Sequence, residues 1–177
     1  MTNQMYQMTS EVQKYSSKMT SINSKRLPAI YHKINWERLK SEANHPFPRV
    51  LDYGCGRYIE HIKEFVNSQG CCYSPYDPYW GHLIQNQTSL LCEPDIVLCS
   101  NVLNTIAENK IIIKIVSELL SYNKPVVISI YEGDKSWIGR ESKKDCWQRN
   151  QTLDAYCVNN KLQTYHGVIT TDKSIIL

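Results

Sequence analysis

The stretch RVLDYGCGRYIEHIKEFVNSQGCCYSPYDP, residues 49–78, constrains this chain more than any other part of it. It begins with a short, mostly apolar run, Arg49-Val50-Leu51-Asp52-Tyr53, and then turns at Gly54 and Gly56. Residues 57–68 follow, and they place Ile59, Ile62, Phe65 and Val66 on one helical face. Asn67-Ser68-Gln69-Gly70 closes that helix. Cys71-Cys72-Tyr73-Ser74 reads as a second strand, ending at Tyr76-Asp77-Pro78. A strand, a glycine turn, a helix and a strand in about 30 residues is the length that a crossover between parallel strands needs. An α/β fold with a parallel sheet follows.

The alternation continues downstream. Asp95-Ile96-Val97-Leu98-Cys99-Ser100 reads as a buried strand, and residues 107–121 as an apolar helix with acid near its start. Pro125-Val126-Val127-Ile128-Ser129-Ile130-Tyr131 is a central strand. Residues 143–158 read as a further helix, and the tail TYHGVITTDKSIIL as two short strands around residues 170–173. Strands alternating with helices predict a doubly wound sheet, mostly parallel, with an antiparallel strand from the C-terminal tail. The stretch between Asp77 and Asp95 is too short for a complete α/β unit, so that edge of the sheet is expected to be reduced.

Upstream, residues 1–24 form a polar arm, and residues 28–43 read as a helix. Pro28 suits its first turn, and Ile30, Ile34 and Leu39 form its stripe, with Tyr31 and Trp36 beside them. His45-Pro46-Phe47-Pro48 breaks it. The expected organisation is an arm and cap helix over residues 1–48 and one globular unit over residues 49–177.

Composition excludes several classes. The chain has 177 residues, enough for one sizeable core. Its seven cysteines are odd in number and contain no Cys-x-x-Cys pair, which argues against a disulfide framework or a zinc cluster. The histidines have no metal-ligand spacing. No apolar run approaches the ~18 residues of a membrane span, and the N-terminus lacks the features of a secretory signal. A cytoplasmic protein without a membrane partner is expected. The net charge of +3 has its excess upstream, where residues 1–48 carry seven basic and three acidic residues. So small an excess suits a solvated helical face better than a phosphate-binding arm.

In an open parallel sheet, ligands sit beyond the carboxyl ends of the strands. The first strand ends in Asp52-x-Gly54-x-Gly56. Glycines let the backbone turn sharply and let a ligand approach closely. A carboxylate at Asp52 would repel a pyrophosphate but suits an ammonium, which S-adenosylmethionine carries beside its sulfonium. The dinucleotide pattern Gly-x-Gly-x-x-Gly fails, since Ile59 stands at its third position. Asp77, at the end of the second strand, is placed to accept hydrogen bonds from ribose hydroxyls.

LDYGCGRY thereby resembles the first motif of class I S-adenosylmethionine-dependent methyltransferases, usually Asp-x-Gly-x-Gly-x-Gly, with Tyr58 where a third Gly is common. Asp77 matches the acidic ribose ligand of the second motif. DIVLCSNVLNTI resembles the family's fourth strand and the loop after it. LDYGCGR, YDP and NVLNTI are also similar to methyltransferases associated with DNA phosphorothioation and to small phage and mobile-element homologues. The resemblance implies a Rossmann-like methyltransferase sheet over residues 49–132, with S-adenosylmethionine as cofactor. Its implied cofactor-binding set is Asp52, Tyr53, Gly54, Cys55, Gly56, Asp77, Pro78, Asn101 and Val102. Of these, Asp52, Gly54 and Gly56 would cradle the methionine part, and Asn101 and Val102 would lie near the sulfonium and adenosine.

The acceptor is narrowed mainly by exclusion. The loop Ser100-Asn101-Val102-Leu103 lacks the Pro-Pro-Tyr of exocyclic-amine DNA methyltransferases, and no Pro-Cys pair marks a cytosine nucleophile. A small molecule or a nucleic acid remains as acceptor. The segment from Tyr131 to Asn150 is dense in polar and aromatic groups and reads as a substrate loop or as a solvated loop leading into a helix. Glu132 is a candidate general base, or a holder of a substrate amine, and Asn101 is the other catalytic candidate. Tyr31, Tyr131, Arg140, Lys144 and Arg149 are candidate substrate contacts, with Lys25, Arg26 and Lys143 beside them. Methyl transfer relies on placing an acceptor in line with the sulfonium, so a dedicated base need not exist. The alternative to an enzyme is a non-catalytic binding or regulatory protein that keeps the fold. A nicotinamide-dependent enzyme is disfavoured by Asp52 and Ile59.

Overall fold

A computed structural model describes residues 26–78, 80, 93–143 and 146–177. The apolar run before the glycines forms β1 (Arg49–Tyr53), and Glu60–Ser68 forms α2 after it, α1 being Trp36–Glu42 upstream. Gly70 ends α2 at φ +77°, in the left-handed region that glycine enters without a Cβ clash. The chain returns as β2 (Cys72–Tyr76), parallel to β1 with Val50 opposite Tyr73 and Tyr53 opposite Tyr76. β3 (Ile96–Ser100), α3 (Asn109–Ser121) and β4 (Val126–Ser129) follow. Two antiparallel hairpins complete the described elements: β5 (Arg140–Lys143) with β6 (Cys146–Gln148), and β7 (Gln163–Tyr165) with β8 (Val168–Thr170).

The fold is α/β with a mostly parallel, mixed sheet of six strands in the order β2-β1-β3-β4-β8-β7. β1 to β4 run parallel, and β8 enters antiparallel between β4 and β7. The strands alternate their side chains between two buried faces. Val50, Ile96, Leu98, Val127 and Val168 meet Trp36 and Leu39 of α1, Ile62 and Val66 of α2, and Ile30 and Tyr31. Leu51, Val97, Cys99, Ile128 and Ile169 meet Ile112, Val116 and Leu119 of α3. Burial on both faces explains why these strands read as almost continuous apolar runs. Asp52 is the exception on β1: it is a carboxylate on the α1/α2 side and only 2% exposed.

Three segments differ from the sequence expectation. Residues 28–43 do not form one helix. Ala29–His32 is a 3-10 turn, and Ile34 then bridges Ile176 before α1 begins. Asn35 caps α1, its Oδ1 accepting from Arg38 N at 3.0 Å. Residues 143–158 are not a helix either: they contain part of the β5–β6 hairpin and a 3-10 turn, Leu153–Tyr156. The tail does form two strands, but they turn at His166-Gly167 rather than at residues 170–173. Both turn residues have positive φ, 44° and 75°, as a two-residue type I′ loop requires. The expected reduced edge falls mainly on residues 81–92, which lie outside the described residues. Among the described residues, β2 is the edge strand on that side, and no helix is long and apolar enough to cross a membrane.

Candidate functional site

Three parallel strands deliver the expected motif residues to one end of the sheet. β1 leads into the turn at Gly54 and Gly56, β2 into Asp77 and Pro78, and β3 into Asn101 and Val102. Hydrogen bonds tie these ends together. Gly54 N and Cys55 N both donate to Tyr76 O, at 2.7 and 3.2 Å, and Gly56 N donates to Asp77 Oδ2 at 3.0 Å. Asp77 is 4% exposed and aimed at the glycine turn. Asn101 adopts φ 56° and donates its N–H to Ser129 O at 2.8 Å, which ties the β3 end to the β4 end. Pro78 is exposed.

The turn's glycines are used in a way the sequence does not announce. Gly54 sits at φ +79°, and a Cβ there would lie 2.3 Å from Val102 Cγ2. Its bare face is thus covered by Val102, from within the protein, so Gly54 does not present to a ligand the open face that the sequence reading expected. Together with the three engaged N–H groups, this makes the turn a rigid joint between the ends of β1, β2 and β3. Tyr58 does not close over that joint: it is partly exposed and stacks with Arg57, whose guanidinium also lies over Trp80. The Cys55 thiol is pushed well up, first by burial and then by Asp52 and Asp77. Tyr53 points to the opposite face, its ring 4.9 Å from that of Tyr76.

Asp52 is the unusual group. Its Oδ2 accepts from Tyr73 Oη at 2.6 Å. Burial pushes its carboxyl up to about 6, while the Tyr73 and Tyr31 hydroxyls work against that rise and Asp77 adds to it. The Tyr31 hydroxyl lies close enough to Asp52 to favour its charge, yet it has no partner in hydrogen-bond geometry. No cation among the described residues pairs with Asp52. A buried carboxylate held only by neutral hydroxyls is electrostatically incomplete, and a ligand carrying an ammonium would complete it. The residues present therefore fit the amino-acid end of S-adenosylmethionine through Asp52, and Asp77 stands beside the turn where a ribose would be met. Tyr31, a substrate candidate in the sequence reading, is fully buried beside Asp52.

The candidates after β4 are divided. Tyr131 is 65% exposed. Glu132 is held on both oxygens: Oε1 accepts from Leu153 N at 3.1 Å, and Oε2 pairs with Lys135 at 2.8 Å. The Lys135 hydrogen bond leads in holding Glu132 below the usual carboxylate range, which does not suit a general base at neutral pH. Arg140 pairs with Asp134 at 3.2 Å. Arg149 donates to Ile106 O, Ala107 O, Asn109 Oδ1 and Gln151 Oε1, so its guanidinium ties the segment to the start of α3. Gln148 donates to Tyr131 O, Asn104 donates to Gln148 Oε1, and Asn150 donates to Ile138 O. Gln148 and Arg149 are thus pinned to the loop after β3 and the start of α3, and Gln148 and Asn150 in turn hold Tyr131 and Ile138. Arg26 is exposed. Lys25, Lys144 and the side chain of Lys143 lie outside the described residues.

Sequence reasoning treated Tyr73 only as a strand residue. The signal was available in the register: Tyr73 lies opposite Val50, so it shares a face with Asp52 one step further along β1.

The chain matches no family model, no curated protein and no solved structure.

Proposed function

We propose that this protein is an S-adenosylmethionine-dependent methyltransferase of the class I, Rossmann-like type, acting on a small molecule or a nucleic acid. The observation that carries the reading is Asp52: a 2% exposed carboxylate without a cationic partner among the described residues, at the close of the strand that leads into the glycine turn. A desolvated anion of this kind recognises an ammonium more strongly than an exposed one does. Two further observations support it. Asp77 stands across the turn from Gly56. The antiparallel β8 between two strands that run the other way agrees with the doubly wound sheet that the resemblance implies.

In this reading Asp52 holds the ligand's ammonium, Asp77 takes the ribose hydroxyls, and Asn101 and Val102 line the side towards the acceptor. S-adenosylmethionine supplies an activated methyl group when bound. The chain's own task is then to hold donor and acceptor in line and keep water away.

Calorimetry tests this directly. S-adenosylmethionine and S-adenosylhomocysteine are expected to bind and NAD is not, and Asp77→Ala is expected to weaken both sulfur ligands. Binding of NAD alone, or of none of the three, overturns the assignment. A methyl-transfer assay against nucleic acids and metabolite pools separates an enzyme from the second reading, a non-catalytic binder. The engagement of Glu132 by Lys135 and Leu153 takes away one catalytic candidate without separating the two readings, since methyl transfer needs no dedicated base.

A further inference from the structure

The hydroxyls around Asp52 come from two different elements, and only one of them has a partner. Tyr73, from β2, donates to Asp52 Oδ2 at 2.6 Å. Tyr31, from the 3-10 turn before α1, is fully buried, and its hydroxyl is close to Asp52 without a partner in hydrogen-bond geometry. The other titratable groups acting in this cluster are Asp77, Cys55 and Cys99. None of them is cationic. Two phenols are neutral donors, so they stabilise a carboxylate's charge without cancelling it. A lysine in their place would form an internal salt bridge and leave nothing for a ligand to complete.

We propose that Tyr73 is a positioning residue for cofactor binding: its hydroxyl keeps the Asp52 carboxylate charged and oriented so that the ammonium of an amino-acid-bearing nucleoside becomes its counter-ion. Tyr31, whose hydroxyl also favours the charge of Asp52, is the second neutral hydroxyl of the cluster. The inference rests on the reading of the site as an S-adenosylmethionine site. Removing the Tyr73 hydroxyl strips away a contact that favours the ionised form. The carboxyl then takes up its proton at higher pH, and a protonated Asp52 cannot hold an ammonium.

The test is calorimetric titration of wild type and Tyr73→Phe between pH 5 and 7.5. Two ligands are used: S-adenosylmethionine and 5′-methylthioadenosine, which lacks the amino-acid end. Loss of a charge-assisted hydrogen bond moves a carboxyl by about one pH unit. Starting from about 6, that gives an affinity loss for S-adenosylmethionine of about 1.3-fold at pH 7.5, about 5-fold at pH 6 and about 9-fold at pH 5. The loss grows towards acid because the variant is protonated first. Methylthioadenosine is expected to bind both proteins equally at every pH. A purely structural role for Tyr73 would weaken both ligands by a factor independent of pH, and that result overturns the proposal. Unchanged S-adenosylmethionine affinity in the variant overturns the role of Tyr73 while leaving the site assignment standing. Failure of both ligands to bind wild type overturns the site assignment and the proposal with it. Should Tyr73→Phe lose both ligands through misfolding, Tyr31→Phe carries the same comparison, and a pH-independent result there overturns the hydroxyl mechanism.

Discussion

Replacing Asp52 by Asn should stabilise the protein and, at once, disable the proposed ligand site. Each pKa unit corresponds to about 1.4 kcal/mol, so the rise of Asp52 from 3.8 to about 6 on folding corresponds to about 3 kcal/mol. The sign follows from which state holds the proton more tightly. The folded carboxyl is the weaker acid, so the native state binds more protons between pH ~4 and ~6, and stability falls as pH rises through that window. Above it, the buried charge opposes folding by the full amount. Asn has nearly the same shape, keeps an oxygen for the Tyr73 hydroxyl and carries no charge to desolvate. Asp52→Asn should therefore match wild type near pH 4 and exceed it by up to about 3 kcal/mol at pH 8. At about 2–4 °C per kcal/mol for a chain of this size, the gain in Tm is about 6–12 °C. Differential scanning calorimetry across pH 4–8 reads it, and the same samples should show S-adenosylmethionine affinity falling. A variant no more stable than wild type at pH 8, or a difference that is constant across the pH range, would refute the reasoning. Either result would mean that the charge is already compensated inside the fold. If Asp52 holds the ligand as proposed, stability is here traded for binding, a recurrent pattern at functional sites.

Three further outcomes check other parts of the structure. Gly54→Ala should destabilise by about 1–3 kcal/mol, because it forces a Cβ into φ +79° and against Val102; adding Val102→Ala should restore the steric part only, as read by urea unfolding. Arg149→Ala should lower stability by about 2–3 kcal/mol through loss of its bonds to Ile106, Ala107, Asn109 and Gln151, and an unchanged urea midpoint would return Arg149 to the substrate candidates. Glu132→Ala should speed hydrogen exchange at the Leu153 amide while leaving S-adenosylmethionine affinity unchanged; a change in affinity with no change in exchange would show that Glu132 meets the ligand.

The first half of the fold was legible because its signals are local. The apolar run into Gly54, the helical period of residues 60–68 and the stop at Gly70 each name their own conformation within a few residues. β3, α3 and β4 read equally well, since both faces of the sheet are buried. The elements misread were those decided by distant partners. Residues 143–158 read as a helix, but Asn104 binds Gln148 and receives Arg149 N at its carbonyl, and Asn150 takes φ 53°. The 28–43 segment breaks at Ile34 because a strand partner, Ile176, lies at the far end of the chain. At the site, the positions of Asp52 and Asp77 followed from strand ends, and that of Val102 from the resemblance. The Tyr73 contact needed the β1–β2 register, and the engagement of Arg149 and Glu132 needed tertiary contacts that no window of sequence contains.

The seam between the segment before α1 and the last described residues has a consequence for how the protein matures. Asn35 N donates to Ile175 O, Leu177 N donates to Lys33 O, and Ile34 bridges Ile176. Tyr31 rides on that same segment and reaches Asp52 from it. During synthesis, the sheet from β1 to β4 can assemble on the ribosome while its early flank still waits for residues that have yet to be translated. The Tyr31 side of the Asp52 cluster thus depends on contacts with residues far away in sequence, whereas its Tyr73 side is local to the β1–β2 pair.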